Sequence, residues 1–194
     1  MGRVDEAYPL AERLARVDPL TPISVCGEVF LDVSGGRFDV APEKLTKWVR
    51  LEPHNPLALA ACAGLLANCS RYDEARDLIR GNVRADLEDI STRLTLLLEG
   101  ALDGDSSRFR EIMTEDFRRT ARRDPQWSYY VAGILAFAGL KEEALDWLSN
   151  AVDRGYINYP VIAEHDPALE SIRGEPQFRD IAARAKYEWE HFEA

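Results

Sequence analysis

Gly36-Arg37-Phe38-Asp39-Val40-Ala41 and Ser70-Arg71-Tyr72-Asp73-Glu74-Ala75 are two versions of one phrase, set 34 residues apart. Gly2-Arg3-Val4-Asp5-Glu6-Ala7 lies 34 residues before the first, and Gly139-Leu140-Lys141-Glu142-Glu143-Ala144 lies 69 after the second. Gly104 divides that longer step into 34 and 35. A second column agrees: Asp18-Pro19 and Glu52-Pro53 keep the period, as do Pro22 and Pro56, and Pro125 stands 69 further on. Several columns holding one period define a structural repeat of about 34 residues.

Each unit has the signals of two helices and a tight turn. Pro22, Pro56 and Pro125 follow Thr21, Asn55 and Asp124, a capping side chain and then Pro in the first turn. An apolar helix follows and stops at the next Gly, which takes positive φ at little cost. Phe38-Asp39 and Tyr72-Asp73 are expected to open the second helix, with Asp at its electropositive end. In one unit that helix should end near Glu52-Pro53, and Pro9 should disturb the early part of a helix over 5–17.

These residues resemble the tetratricopeptide repeat family. The family's apolar and small columns fall on Leu59, Cys62, Ala63, Leu66, Ala75 and Ile79, then on Val131, Ala132, Leu135, Ala144 and Leu148. The resemblance implies an all-α fold: a right-handed α-α superhelix of helix-turn-helix units over 1–154, closed by capping helices over 155–194. The units lie near 2–21, 22–55, 56–89, 90–124 and 125–154. Some positions depart from the pattern. Glu28 and Asp32 occupy apolar columns, Arg93 and Ser128 replace a large apolar residue, and Phe109 replaces a small one. The tail from Asp166-Pro167 to Pro176-Gln177-Phe178 looks like the segment that closes such arrays in bacterial signalling proteins, behind kinase, cyclase or transcription-factor domains. With Gly2 already inside a turn, the first unit lacks its leading helix, and the chain is expected to be a C-terminal part of something longer.

Composition bounds the function. The 194 residues hold 34 acidic and 24 basic side chains, a net charge of −10, with 46% hydrophobic and 30% charged residues. An acidic chain of this kind argues against nucleic acid or an anionic membrane as partner. The longest uncharged stretches, 55–70 and 125–140, fall short of the roughly 20 apolar residues of a membrane span. No signal-peptide core opens the chain. Cys26, Cys62 and Cys69 have no C-x-x-C spacing, which suits a reducing compartment, and the reading is cytoplasmic.

Motifs for chemistry are missing. His54, His165 and His191 have no metal-ligand spacing, and no nucleophile elbow or phosphate loop occurs. No catalytic residue, metal or cofactor is therefore assigned, and the chain is not read as an enzyme. Arg118, Arg119, Arg122 and Arg123 form a basic stripe, expected to be a solvated helix end in which Glu115 pairs with Arg119. Glu28 and Asp32 either pair with Arg13, Arg16 or Arg37, or turn outward, or are exposed because no helix leads the first unit.

In the family, the first helix of each unit lines a concave groove. The resemblance puts Cys26, Phe30, Val33, Leu57, Ala61, Leu94, Leu98, Tyr129, Tyr130 and Phe137 on that line, with Ile23 and Gln126 beside them. Tyr129, Tyr130 and Phe30 are the expected anchors. Without Lys or Arg among them, the groove suits an amphipathic helix or apolar peptide rather than a terminal carboxylate. The same residues could pack among neighbouring helices, or be covered by Phe178, Ile181, Tyr187, Trp189 and Phe192 of the final helix. The function expected is a protein- or peptide-binding scaffold or sensor module. The rival reading is a self-assembly element that makes a homodimer of a fused kinase or cyclase.

Overall fold

The computed structural model describes residues 4–19, 21–83 and 87–192, and these contain helices and turns with no strand. The chain divides into two compact units, one up to residue 84 and one from 85 onward. The first holds α1 Val4–Val17, α2 Pro22–Ser34, α3 Ala41–Leu51, α4 Pro56–Asn68 and α5 Tyr72–Asn82. Each of these packs on the next in sequence. The second holds α6 Ile90–Asp103, α7 Ser106–Ile112, α8 Glu115–Ala121, α9 Pro125–Phe137 and α10 Lys141–Asp153. A π-helical turn Val161–His165, a 3-10 helix Pro167–Ile172 and α11 Pro176–His191 follow. Here α9 is central, packing on α6, α8, α10 and the 3-10 helix, while α11 packs on α10. No described helix is long and apolar enough to cross a membrane.

Two of the three expected caps act where the sequence places them, while Thr21 precedes α2 without a side-chain cap. Asn55 Oδ1 accepts from the backbone N–H of Leu57 (3.0 Å) and Ala58 (3.2 Å), so α4 starts with its free donors satisfied. Asp124 does the same for Gln126 and Trp127 at the start of α9. The stops are equally regular. Gly36, Gly104 and Gly139 have φ of 78°, 67° and 77°, and Ser70 takes φ 59° in the same column. At each, the following N–H reaches back five residues: Arg37 to Asp32 O, Arg71 to Leu66 O, Asp105 to Gly100 O and Leu140 to Leu135 O, all at 2.8–2.9 Å. This is the Schellman stop, which satisfies the orphan carbonyls of the helix it ends. The first copy of the motif, at Gly2-Arg3, lies outside the described residues.

Local expectations failed at three further places. α3 begins at Ala41, three residues after Phe38, because Pro42 must sit in a first turn. Had the helix opened at Phe38, Pro42 would owe it an N–H that Pro lacks. α1 runs unbroken through Pro9, near its exposed start, where the carbonyl left without a donor can reach water. The second helix after Gly104 is two helices, α7 and α8. Thr114 takes an extended backbone there, and its Oγ1 accepts from Phe117 N–H at 3.3 Å to cap the second piece.

All eleven of the apolar and small columns quoted above are buried. Ser128, in a column that is usually apolar, is also buried and is satisfied. Its hydroxyl donates to Ala121 O (3.1 Å) and accepts from Asn150 Nδ2 (2.7 Å). Gly100 lets α6 and α7 approach each other, since a Cβ there would lie 2.9 Å from Arg108 Cβ.

Candidate partner-binding surface

The line of ten groove residues separates by burial. In the first unit α2 buries Val25, Val29 and Asp32, and turns Cys26, Phe30 and Val33 the other way. Phe30 is 52% exposed, and Cys26 and Val33 are half-buried. α4 buries Ala58, Leu59, Cys62, Ala63 and Leu66, and leaves Leu57 42% exposed with Ala61 half-buried. A helix with a wide apolar arc presents part of it to solvent once one side is packed. Burial, with the Glu52 charge second, pushes the Cys26 thiol up to about 11, so it stays protonated at neutral pH and lines the face as a small apolar group. The side chain of Ile23 lies outside the described set.

In the second unit the same line is mostly interior. Leu94 and Leu98 are buried, and Tyr129 is 4% exposed. The Tyr129 hydroxyl donates to the Asp166 carboxylate, and its ring stacks on Tyr156 with centroids 4.0 Å apart. Burial first, and the Asp166 charge second, raise the Tyr129 phenol well above its ordinary range. Tyr129 is thus a core residue of this unit and not an accessible anchor. Tyr130 and Phe137 are half-buried, and Gln126 Nε2 donates to Tyr130 Oη at 2.6 Å. Trp127 meets the Tyr130 ring edge-on at 5.9 Å.

The segment lying on α9 is the 3-10 helix. Ser171 Oγ donates to Ala136 O at 2.8 Å, and Ala168 stands where a Cβ on Gly133 would meet it at 3.3 Å. Asp166 caps this helix by accepting from Ala168 N–H at 2.9 Å. α11 buries Phe178, Ile181 and Ala185 and packs on α10, while Tyr187 and Phe192 remain exposed and Trp189 half-buried. Sequence reasoning missed the role of Asp166 and Tyr156. The cap at Asp166-Pro167 is readable, but a link to Tyr129 spans 37 residues and has no local signal.

The charged outliers also found partners. Asp32 is 2% exposed; its Oδ1 accepts from Tyr8 Oη (2.7 Å) and from Arg37 Nε (3.1 Å) and Nη2 (3.0 Å). Lys44 Nζ lies 2.6 Å from Asp32 Oδ2 and 3.4 Å from Glu28 Oε2. The Arg37 guanidinium also lies 4.4 Å from the centre of the Tyr8 ring. Pairing with Arg37 was one of the readings open from sequence, whereas Tyr8 and Lys44 were not foreseen. The network joins α1, α2 and α3 and balances its charges, which is a structural task.

Half of the arginine stripe, Arg118 and Arg122, ties helices together, while Arg119 and Arg123 are exposed as a solvated end would be. Arg118 pairs with Glu143 of α10 at 2.5 Å, and Arg122 pairs with Asp146 while lying 4.3 Å over the Trp147 ring. Arg119 pairs with Asp116 at 2.7 Å, where Glu115 had been expected. Among the described residues no group of three or more His, Cys, Asp or Glu is placed to hold a metal ion. No protein-family model matches the chain, and no curated protein matches it.

Proposed function

We propose that the chain is a helical-repeat interaction module of the tetratricopeptide type that holds an amphipathic helix or apolar peptide. The repeat reading is supported by four helix stops of one geometry at 36, 70, 104 and 139. The observation that carries the binding reading is the exposure of Phe30 and Leu57 on α2 and α4. Cys26 and Val33 flank Phe30 along α2, and Ala61 follows Leu57 along α4, so each helix carries an apolar strip without Lys or Arg. Main-chain groups of a helical ligand satisfy one another, so such a face can bind a helix by side-chain burial alone. Anchoring then falls on the large aromatic residue, Phe30.

The test is selection from a displayed peptide library, followed by direct titration of the selected peptides. The expected ligands carry apolar residues at helical spacing, and Phe30→Ser weakens them by about tenfold or more. Selected peptides that bind Phe30→Ser and Leu57→Ser as tightly as the parent would reject this face.

A further inference from the structure

α1 is a second helix of the repeat, in register with α3, α5 and α10 through Gly2, Gly36, Ser70 and Gly139. Three columns of these helices compare directly. Ala41, Ala75 and Ala144 are fully buried, and Ala7 in the same column is only half-buried. Trp147 is buried and Lys44 and Leu78 are half-buried, whereas Leu10 in that column is 67% exposed. Trp48 and Ala151 are buried and Asn82 is half-buried, whereas Leu14 is exposed. Val17 continues the line, but its counterpart Leu51 is exposed as well, so that column distinguishes nothing. Residues 7, 10 and 14 follow i, i+3, i+7 and share one helix face.

In the later repeats this face meets the first helix of the same repeat. α3 packs on α2, α5 on α4 and α10 on α9. Lys44, the counterpart of Leu10, reaches back to Asp32 and Glu28 of α2 at 2.6 and 3.4 Å. α1 instead packs on α2, the first helix of the following repeat, by the side that carries Tyr8 and Ala11. Among the described residues, its side toward a first helix of its own is left open. The helices that fill this place elsewhere define the occupant. α2, α4 and α9 each have 13 residues and start at Pro, and α4 and α9 carry no charged side chain. Both place Ala-Gly at one offset, Ala63-Gly64 and Ala132-Gly133, which suits the close approach that a fully buried alanine column requires. Three-residue turns at 69–71 and 138–140 make these pairs antiparallel. No charged side chain interrupts Ala7, Leu10 and Leu14, so an uncharged helix is buried there without an unpaired charge. None of α2, α4 and α9 is spare, since each is held by its own second helix. We infer that α1 receives an uncharged helix of this kind from a partner protein, antiparallel to α1, and that the donated helix completes the first two-helix repeat.

A synthetic peptide of residues 53–71, which is α4 with its flanks, is the probe. Titrated under reducing conditions into the isotope-labelled full chain, it is expected to shift the backbone amides of residues 7–14. Leu10→Ser with Leu14→Ser, both at exposed positions, should keep the parent's circular dichroism and weaken the peptide about tenfold or more. Phe30→Ser should bind it like the parent, which separates this site from the strips on α2 and α4. Residues 53–69 fused directly ahead of Gly2 preserve the register and fill the face from the same chain. That fusion should melt higher than the parent and no longer take the peptide. A parent that shows no shift at millimolar peptide, or a fusion that melts no higher, overturns the inference. Binding that is indifferent to the leucine pair, or lost in Phe30→Ser, overturns the placement on α1. A parent that dimerises in sedimentation equilibrium and is made monomeric by the leucine pair gives the face to a second copy and overturns the partner helix.

Discussion

Asp32 and Lys44, on neighbouring helices α2 and α3, meet at 2.6 Å around a carboxylate that is almost fully withdrawn from water. Burial by itself pushes the Lys44 ammonium down, but the Asp32 and Glu28 carboxylates outweigh it and hold the group above the ordinary lysine range. A raised lysine in the folded state adds stability that is complete below its unfolded value, about 10.4, and is lost as pH rises through the folded one. Stability of the wild type should therefore fall on the alkaline side of that window. Lys44→Met should flatten the fall in urea melts taken from about pH 10 upward. Asp32→Ala, which strips three helices of one shared acceptor, should cost about 2 kcal/mol at neutral pH.

Asp166 behaves in the opposite sense to a paired carboxylate. Its burial raises the carboxyl above the ordinary range, ahead of the lowering effect of the Tyr129 hydroxyl. The folded chain then holds this proton more tightly than the unfolded chain. Stability from this group is complete below about pH 3.9 and is lost as pH rises through the raised value. Asp166→Asn keeps the cap on Ala168 without that slope, so its melting temperature should gain on the wild type as pH rises. Asp166→Ala loses the cap and the tyrosine's partner, and should be destabilised by about 2 kcal/mol.

Ser70 occupies with φ 59° a column where its counterparts are glycine. The left-handed conformation costs a residue with a Cβ roughly 1 kcal/mol relative to glycine. Ser70→Gly should raise stability by about 0.5–1 kcal/mol, as read by chemical denaturation. A loss would mean that the weak contact between Tyr72 Oη and Ser70 Oγ, at 3.4 Å, matters more than the backbone.

Gly100 allows α6 and α7 to touch. A methyl group there meets both the Cβ and the Cγ of Arg108 at about 3 Å, so one helix must move. Gly100→Ala should cost about 1–3 kcal/mol in spite of alanine's better helix propensity. A stabilised variant would show that the short helix α7 yields without penalty.

Tyr129 and Phe30, two anchors expected on the groove line, should part in experiment. Tyr129→Ala removes a buried ring and should lower stability by about 3–5 kcal/mol. Phe30→Ala removes a half-exposed one and should stay within about 1 kcal/mol. Thermal melts of the two variants check this directly, and equal losses would put Phe30 in the core as well.

The amino-acid order alone determined where helices stop and most of where they start. A Schellman turn or an Asx cap closes within about six residues, so Gly36, Gly104 and Asn55 carry their instructions locally. It also identified the small apolar columns, because close helix packing needs Ala63, Ala75 and Ala132 wherever the partner helix comes from. Tertiary structure decided the rest. Phe30 and Tyr129 were both expected on the groove line, yet one faces water and the other lies beneath a segment that ends the repeat pattern. Two of the partners of Asp32, Tyr8 and Lys44, came from α1 and α3, while the threonine cap that splits α7 from α8 is local but announced by no period. Burial depends on what arrives from elsewhere in the chain, as Asp166 reaches Tyr129 across 37 residues, and no local window contains that information.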